Sequence, residues 1–132
     1  MRNLALIALL AATGCQTLED VRASAPARSG RFATDYRALS ACAAARLQPD
    51  YSISYILQEH RRLATITHVA DNGFVRYAPY EIIVRGDDAD GSVAEIRTFT
   101  TVWGGPGADT GRFWHALAEC DRNRSAHQPP HL

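Results

Sequence analysis

Lysine is missing from this sequence of 132 residues, because all fourteen of its basic residues are arginine. Its absence excludes enzymes that form a Schiff base through lysine and nucleotide-binding loops that need a phosphate-binding lysine. Fourteen acidic residues balance the arginines, so the formal net charge is zero. Since nucleic-acid-binding domains are strongly basic, this balance argues against a nucleic-acid partner.

Motifs of other enzyme classes are also missing. The three cysteines lie far apart, without the CxxC spacing of thiol oxidoreductases, and no serine lies in a GxSxG motif. The chain is short enough to form one domain, since domains usually have about 100–150 residues. Its hydrophobic content of 46% is that of an ordinary globular protein. We therefore expect a folded protein without enzymatic activity, cofactor or bound metal.

The first fifteen residues form the most specific pattern in the chain. Arg2 precedes an apolar run over residues 4–12, which is too short for a helix across a bilayer, for which about 20 residues are needed. Its length is typical of the hydrophobic part of a secretory signal peptide. The run ends in Ala12, Thr13, Gly14 and Cys15. This ending resembles the lipobox of bacterial lipoproteins.

The resemblance covers the signal region alone, and it implies a specific modification. The chain would be cleaved before Cys15, whose sulfur would receive a diacylglyceryl group and whose new amino group would be acylated. Several acyl chains anchor a protein firmly, whereas one chain anchors it marginally. The residue after the cysteine is Gln16 and not aspartate, which in this family favours the outer membrane. We therefore expect a lipid-anchored protein on the periplasmic side of the outer membrane.

The composition divides the chain into four segments. Residues 1–14 are the expected signal peptide, and residues 15–31, which have no sustained apolar period, are expected to form a flexible tether that begins at the lipidated Cys15. Residues 32–124 form the predicted small domain. Residues 125–132 contain two consecutive prolines and are predicted to form a disordered tail.

The hydrophobic periodicity predicts an α+β fold. A period of 3.6 predicts a first helix over residues 34–47, with Thr34 as its N-cap, and a last helix over 109–124. Between them, strand-like runs cover residues 53–57, 63–70, 74–85 and 92–103, with Pro79 at a bulge or an edge. We expect three or four antiparallel strands, with both helices on one face of the sheet.

Two cysteines remain for the domain, one on each predicted helix: Cys42 and Cys120. Outside the cytosol such a pair can form a persistent disulfide. Two separately buried thiols are the alternative, since free cysteine is among the most buried residues. We predict the disulfide.

The sequence points to a non-enzymatic binding or assembly-accessory module of the cell envelope. The domain is expected to bind a protein, peptidoglycan or lipid, and an envelope protein or peptidoglycan is the favoured partner. The acyl chains on Cys15 are expected to anchor the chain in the membrane. The arginines are spread along the sequence, so a basic patch is not expected to contribute to membrane attachment.

The alternative is a small secreted hydrolase or metal-binding protein that uses His60, His68 or His115. A cleft in which two of these histidines meet an acidic residue would favour it. The acidic residues 87–90 lack the closing glutamate of an EF-hand, and the glycine-rich residues 104–107 lack the spacing of a phosphate-binding loop. We interpret both segments as turns.

Overall fold

The computed structural model describes residues 18–71, 73–74, 76–98 and 109–127. The elements in chain order are α1 (Leu18–Ala23), β1 (Arg28–Phe32), α2 (Tyr36–Leu47), β2 (Ile53–Gln58), a 3₁₀ turn (Glu59–Arg61), β3 (Leu63–Asp71), β4 (Arg76–Gly86), β5 (Ser92–Thr98) and α3 (Thr110–His127). The strands form one antiparallel sheet in the order β1-β5-β4-β3-β2. The α+β prediction is confirmed, with five described strands in place of three or four.

The hydrophobic core lies between α2, α3 and one face of the sheet, which we call the inner face. Alternate residues of the strands point to this face, as the pleat of a sheet requires. The buried residues of this core include Leu39, Ala43, Ala64, Ile66, Ile82, Val84, Ala94, Ile96, Phe113 and Leu117. Two of these strand residues, Ala64 and Ala94, are small. The two predicted helices therefore share one face, as expected.

The helix α2 begins at Tyr36, two residues after the predicted start, and its N-cap is one residue further along than predicted. Asp35, and not Thr34, is the N-cap, and its side chain accepts a hydrogen bond from the backbone N–H of Arg37 at 2.9 Å. Thr34 is 3% exposed, so its polar groups need partners inside the protein. Its backbone N–H and its hydroxyl both donate to Oδ1 of Asp121 on α3, at 2.9 and 2.6 Å.

The predicted bulge in the third strand-like run is present. His68 of β3 pairs with Tyr80 of β4, but Ala70, two residues further along β3, pairs with Tyr77, three residues back along β4. The extra residue on β4 lies beside Pro79. Because proline cannot donate a backbone hydrogen bond, an irregular position of this kind is where a strand accommodates it.

The predicted disulfide joins α2 to α3. The sulfur atoms of Cys42 and Cys120 are 2.04 Å apart, and their Cα atoms are 5.9 Å apart. Both cysteines belong to the seam between the helices, with Cys120 in the core and Cys42 packed against it. The covalent link therefore fixes the two helices that cover the inner face.

The N-terminal segment corrects the predicted tether. From Leu18 onward the chain is ordered into α1 and β1, and β1 forms an edge of the sheet beside β5. The helix α1 lies on the opposite face of the sheet, which we call the outer face. Tyr80 and Ile82 of β4 point to the inner face, so Glu81 between them points to the outer face. Arg22 of α1 contacts Glu81 there. A six-residue helix is not stable alone. Its stability depends on contacts that its own sequence does not reveal.

The strand β1 depends on close packing against α3. A Cβ atom added at Gly30 would lie 2.8 Å from Cη2 of Trp114, so a larger residue here would displace the indole. The guanidinium of Arg28 lies over the same indole, 4.4 Å from the ring centroid, and the ring of Phe32 is 5.2 Å from that of Trp114. Trp114 therefore holds β1 against the rest of the domain.

The helix α3 continues to His127, beyond the predicted end at residue 124. The predicted tail is therefore helical over residues 125–127. The signal peptide, Cys15, the glycine-rich residues 104–107 and the end of the tail lie outside the described residues. In the described part of the chain, no helix combines the length and the apolarity that crossing a bilayer requires.

Reduction of the disulfide is expected to destabilise the protein strongly. The bridge closes a loop with a sequence separation of 78 residues, and the chain-entropy model gives about 4–5 kcal/mol for a loop of this size. We expect reductant to lower the midpoint of guanidinium unfolding of the wild type. The double variant Cys42→Ala, Cys120→Ala should unfold at the lower midpoint with or without reductant. An unchanged wild-type midpoint would contradict a stabilising bridge.

Candidate binding sites

A groove of about 300 Å³ lies beside α1 on the outer face of the sheet. Its floor includes Leu63 and Thr65 of β3 and Ile83 of β4, whose side chains share the outer face. Four arginines from four different elements line it: Arg22, Arg61, Arg85 and Arg97. We call this surface the arginine groove. A partly apolar floor with a cationic rim is suited to an anion that also has an apolar part.

The ion pair between Arg22 and Glu81 forms one side of the arginine groove. Glu81 is 1% exposed, and its carboxylate accepts hydrogen bonds from Arg22. Nε of Arg22 donates to Oε1 at 2.9 Å and to Oε2 at 3.1 Å, and Nη2 donates to Oε2 at 2.9 Å. The hydroxyl of Thr67 donates to Oε2 at 3.4 Å. The hydrogen bond to Glu81 raises the pKa of Arg22, against the opposing effect of burial. This contact attaches α1 to the outer face of the sheet.

The other arginines of the groove are less completely paired. Arg97 Nη2 and Arg85 Nη1 lie 3.0 and 3.6 Å from Oε2 of Glu95. Arg97 also donates to the carbonyl of Ser24, and its buried Nε has no hydrogen-bond partner among the described residues. Arg61 donates to Oε1 of Gln58 at 3.2 Å.

The groove retains a positive charge when its acidic neighbours are counted. Its four guanidinium groups meet the carboxylates of Glu81 and Glu95. The charge of Glu19 on α1 also acts on Arg22 and contributes to its raised pKa. Four positive charges therefore face three negative charges. The excess lies towards Arg61 and Arg85, away from the ion pair of α1.

This cluster corrects the expectation that the arginines form no basic patch. The residues are distant in sequence, and the register of the sheet brings them together. One signal of the site was present in the sequence, because the charged Glu81 interrupts the apolar run of β4. A carboxylate in a buried strand requires a cationic partner. The sequence does not reveal which arginine supplies it.

A second groove, of about 510 Å³, lies between the C-terminal end of α2 and the first turns of α3. Nε2 of His115 lies 3.0 Å from Oε1 of Glu119, whose Oε2 lies 2.5 Å from Nη1 of Arg46. Arg112 donates to the hydroxyl of Tyr51 at 3.3 Å. We call this surface the helix groove. The His115 side chain is 65% exposed, so this ion-pair network is accessible to solvent.

His68 lies in an aromatic cluster on the inner face. Its ring meets Tyr51 edge-on at 4.9 Å, stacks on Tyr80 at 6.0 Å and lies 6.1 Å from Phe113, all between ring centroids. Burial lowers the pKa of His68, although the charge of Asp109 acts in the opposite direction. Its Nδ1 is buried and has no hydrogen-bond partner among the described residues. The neutral imidazole is therefore the form that this cluster favours.

The three histidines of the alternative hypothesis lie in three different environments. His60 is exposed in the 3₁₀ turn, His68 packs among aromatic rings, and His115 lines the helix groove without either of the others. Over residues 18–71, 73–74, 76–98 and 109–127, no three side chains of the histidine, cysteine or acidic types form a group that could hold a metal ion. The structure thus does not join these histidines into one site.

The segment of residues 87–90 forms a turn, as we interpreted it. Oδ1 of Asp87 accepts hydrogen bonds from the backbone N–H groups of Ala89 and Gly91, at 2.9 and 3.0 Å. Asp90 has a φ of 62°, a left-handed conformation that aspartate tolerates better than most residues. The acidic side chain of Asp87 is therefore used to close the hairpin between β4 and β5.

Comparison with known proteins found no matching family model, no matching curated protein and no matching solved structure.

Loss of the α1 ion pair should destabilise the fold. In the variant Arg22→Ala, the buried Glu81 carboxylate loses its charged partner, which costs about 1–3 kcal/mol. Adding Glu81→Gln should recover part of this loss, since a neutral amide is less costly to bury than a carboxylate. The measurement is the free energy of unfolding in urea.

A matched control for this experiment is Arg31→Ala, which removes an exposed arginine 3.6 Å from Asp87. Exposed ion pairs contribute less than about 1 kcal/mol. If Arg22→Ala and Arg31→Ala have equally small effects, Glu81 does not depend on α1 for its stability.

The lowered pKa of His68 predicts a loss of stability in acid. The unfolded chain binds a proton near its ordinary pKa of about 6.5, whereas the folded protein binds it at a lower pH. The contribution of His68 to stability is therefore complete above the unfolded pKa and is lost as the pH falls through the folded pKa. We expect His68→Phe, which keeps a ring in the cluster, to reduce the decrease in unfolding free energy between pH 7 and pH 5. His60→Gln, at an exposed position, should keep the wild-type pH dependence, and equal slopes for all three proteins would refute the assignment.

Proposed function

We propose that this chain is a lipoprotein of the bacterial cell envelope, anchored through acyl chains on Cys15 to the periplasmic side of the outer membrane. The observation that carries the proposal is the junction at which an apolar run ends in Ala12, Thr13, Gly14 and Cys15. The disulfide between the two inner-face helices supports it, because such bonds persist in oxidising compartments outside the cytosol.

We propose that the protein acts by binding and not by catalysis. Its arginine groove combines cationic groups from four elements with a partly apolar floor, as a recognition site does. We expect the exposed surface of the domain to bind an envelope protein or peptidoglycan. In this role the protein would hold a component of the envelope close to the membrane or assist its assembly.

The hydrolase alternative has one observation in its favour, the contact between His115 and Glu119 in the helix groove. A carboxylate beside an imidazole can orient it as a general base. Among the described residues that line this groove, however, none is a serine, threonine or cysteine that such a base would activate. The network with Arg46 is better explained as a set of ion pairs at the helix surface.

The anchor is tested by metabolic labelling with radioactive palmitate in a Gram-negative host. We expect the wild type to be labelled and the variant Cys15→Ala to lose both the label and the cleavage of its signal peptide. The double variant Cys42→Ala, Cys120→Ala should keep the label, which separates lipidation from a general effect of removing cysteine. Labelled Cys15→Ala protein would overturn the proposal.

Fractionation of the labelled cell envelope on a density gradient shows which of the two membranes holds the protein. We expect the wild type in the outer-membrane fraction. By the sorting rule of the lipoprotein family, Gln16→Asp should move the labelled protein to the inner membrane. A wild type that is already in the inner-membrane fraction would contradict the proposed location but not the anchor.

A further inference from the structure

The distance between the proposed anchor and α1 is short. Cys15 precedes Leu18, the first residue of α1, by three positions. An extended chain spans at most about 3.6 Å per residue, so α1 begins within about 11 Å of the Cα atom of Cys15. The acyl chains of Cys15 would therefore hold α1 at the membrane surface. The long flexible tether expected from the sequence would have left the domain free to rotate.

The helix α1 is fixed to the outer face of the sheet. Val21 is 1% exposed, and Arg22 binds the buried Glu81. The chain after α1 is held as well, because the carbonyl of Ser24 accepts a hydrogen bond from Arg97 and the N–H of Ala27 donates to the carbonyl of Ile96 at 2.8 Å. A membrane that lies against α1 therefore lies against the outer face of the sheet.

The arginine groove opens on this same face, beside α1. Arg85 is about half exposed, and its carboxylate neighbour Glu95 is 3.6 Å away. Arg61 is exposed in the 3₁₀ turn and forms its hydrogen bond with a neutral amide, that of Gln58. Guanidinium groups bind phosphate through paired hydrogen bonds. These two arginines are therefore the ones most available to a phosphate.

From these observations we infer that the arginine groove binds the headgroup phosphate of an anionic lipid in the membrane to which the chain is anchored. Arg61 and Arg85 bind the phosphate, and Leu63 in the groove contacts the apolar part of the lipid. A helix is about 10–12 Å thick with its side chains, so a surface beside α1 is recessed enough to receive a headgroup. The outer face of the sheet then lies against the membrane. This inference rests on the proposed anchor at Cys15.

The test uses the mature chain from residue 15 to residue 132 with Cys15→Ser, which contains every described element and carries no acyl chain. Its binding is measured by cosedimentation with vesicles of phosphatidylglycerol and phosphatidylcholine, and with vesicles of phosphatidylcholine alone. We expect binding to the anionic vesicles that decreases as the salt concentration rises, because exposed charges are screened. Binding that is no stronger to the anionic vesicles would overturn the inference.

The groove is tested by neutralising its exposed arginines. Arg61→Gln and Arg85→Gln should each lower the vesicle partition coefficient by about fivefold, the effect of one basic residue near an anionic surface. The matched control is Arg112→Gln, which removes the same charge from the helix groove and should have no effect. Equal losses in all three variants would show attraction by charge alone and would overturn the groove assignment.

Two further measurements keep the outcome unambiguous. The thermal midpoints of the variants show whether they are folded, and we expect no change because both substituted side chains are exposed. A fluorescent polyglutamate peptide is titrated in parallel. If it binds through Arg61 and Arg85 while the anionic vesicles do not, the groove receives an acidic protein segment and the lipid assignment is wrong. Since the assay uses an unacylated chain, its failure is distinct from a failure of palmitate labelling at Cys15.

Discussion

The ion pair between Arg22 and the buried Glu81 determines where the N-terminal segment lies. A carboxylate inside a sheet is costly unless a cation accompanies it, and here the cation is supplied by a six-residue helix that would not be stable alone. The two elements therefore depend on each other. The position of α1, the side wall of the arginine groove and the path of the chain into β1 all follow from this contact.

The two faces of the sheet are covered by different physical means. The inner face is apolar and is covered by two full-length helices, which the disulfide and the bonds from Thr34 to Asp121 hold together. The outer face carries charged residues together with Leu63 and Ile83, and one short helix covers part of it. Among the described residues, the arginine groove lies on the part of that face that α1 does not cover.

Local patterns in the sequence were sufficient to predict the elements whose signal lies within their own residues. The period of α2 and the alternation of β2 and β3 are of this kind, and so is the choice of Cys42 and Cys120 as a pair. The segments α1 and β1 were missed because their stability comes from Glu81 and from β5, far along the chain. The arginine groove was missed for a related reason, since the pairing of the strands, and not sequence proximity, assembles it.

The pairing of β1 with β5 also fixes an order of events. β1 is the first strand in the chain and an edge strand, and its neighbour in the sheet is the last described strand, Ser92–Thr98. As the chain emerges from its amino end, β1 has no partner until nearly all of the domain has followed. The segment that leads from the proposed anchor at Cys15 into the domain therefore joins the sheet only after Ser92–Thr98 has followed it.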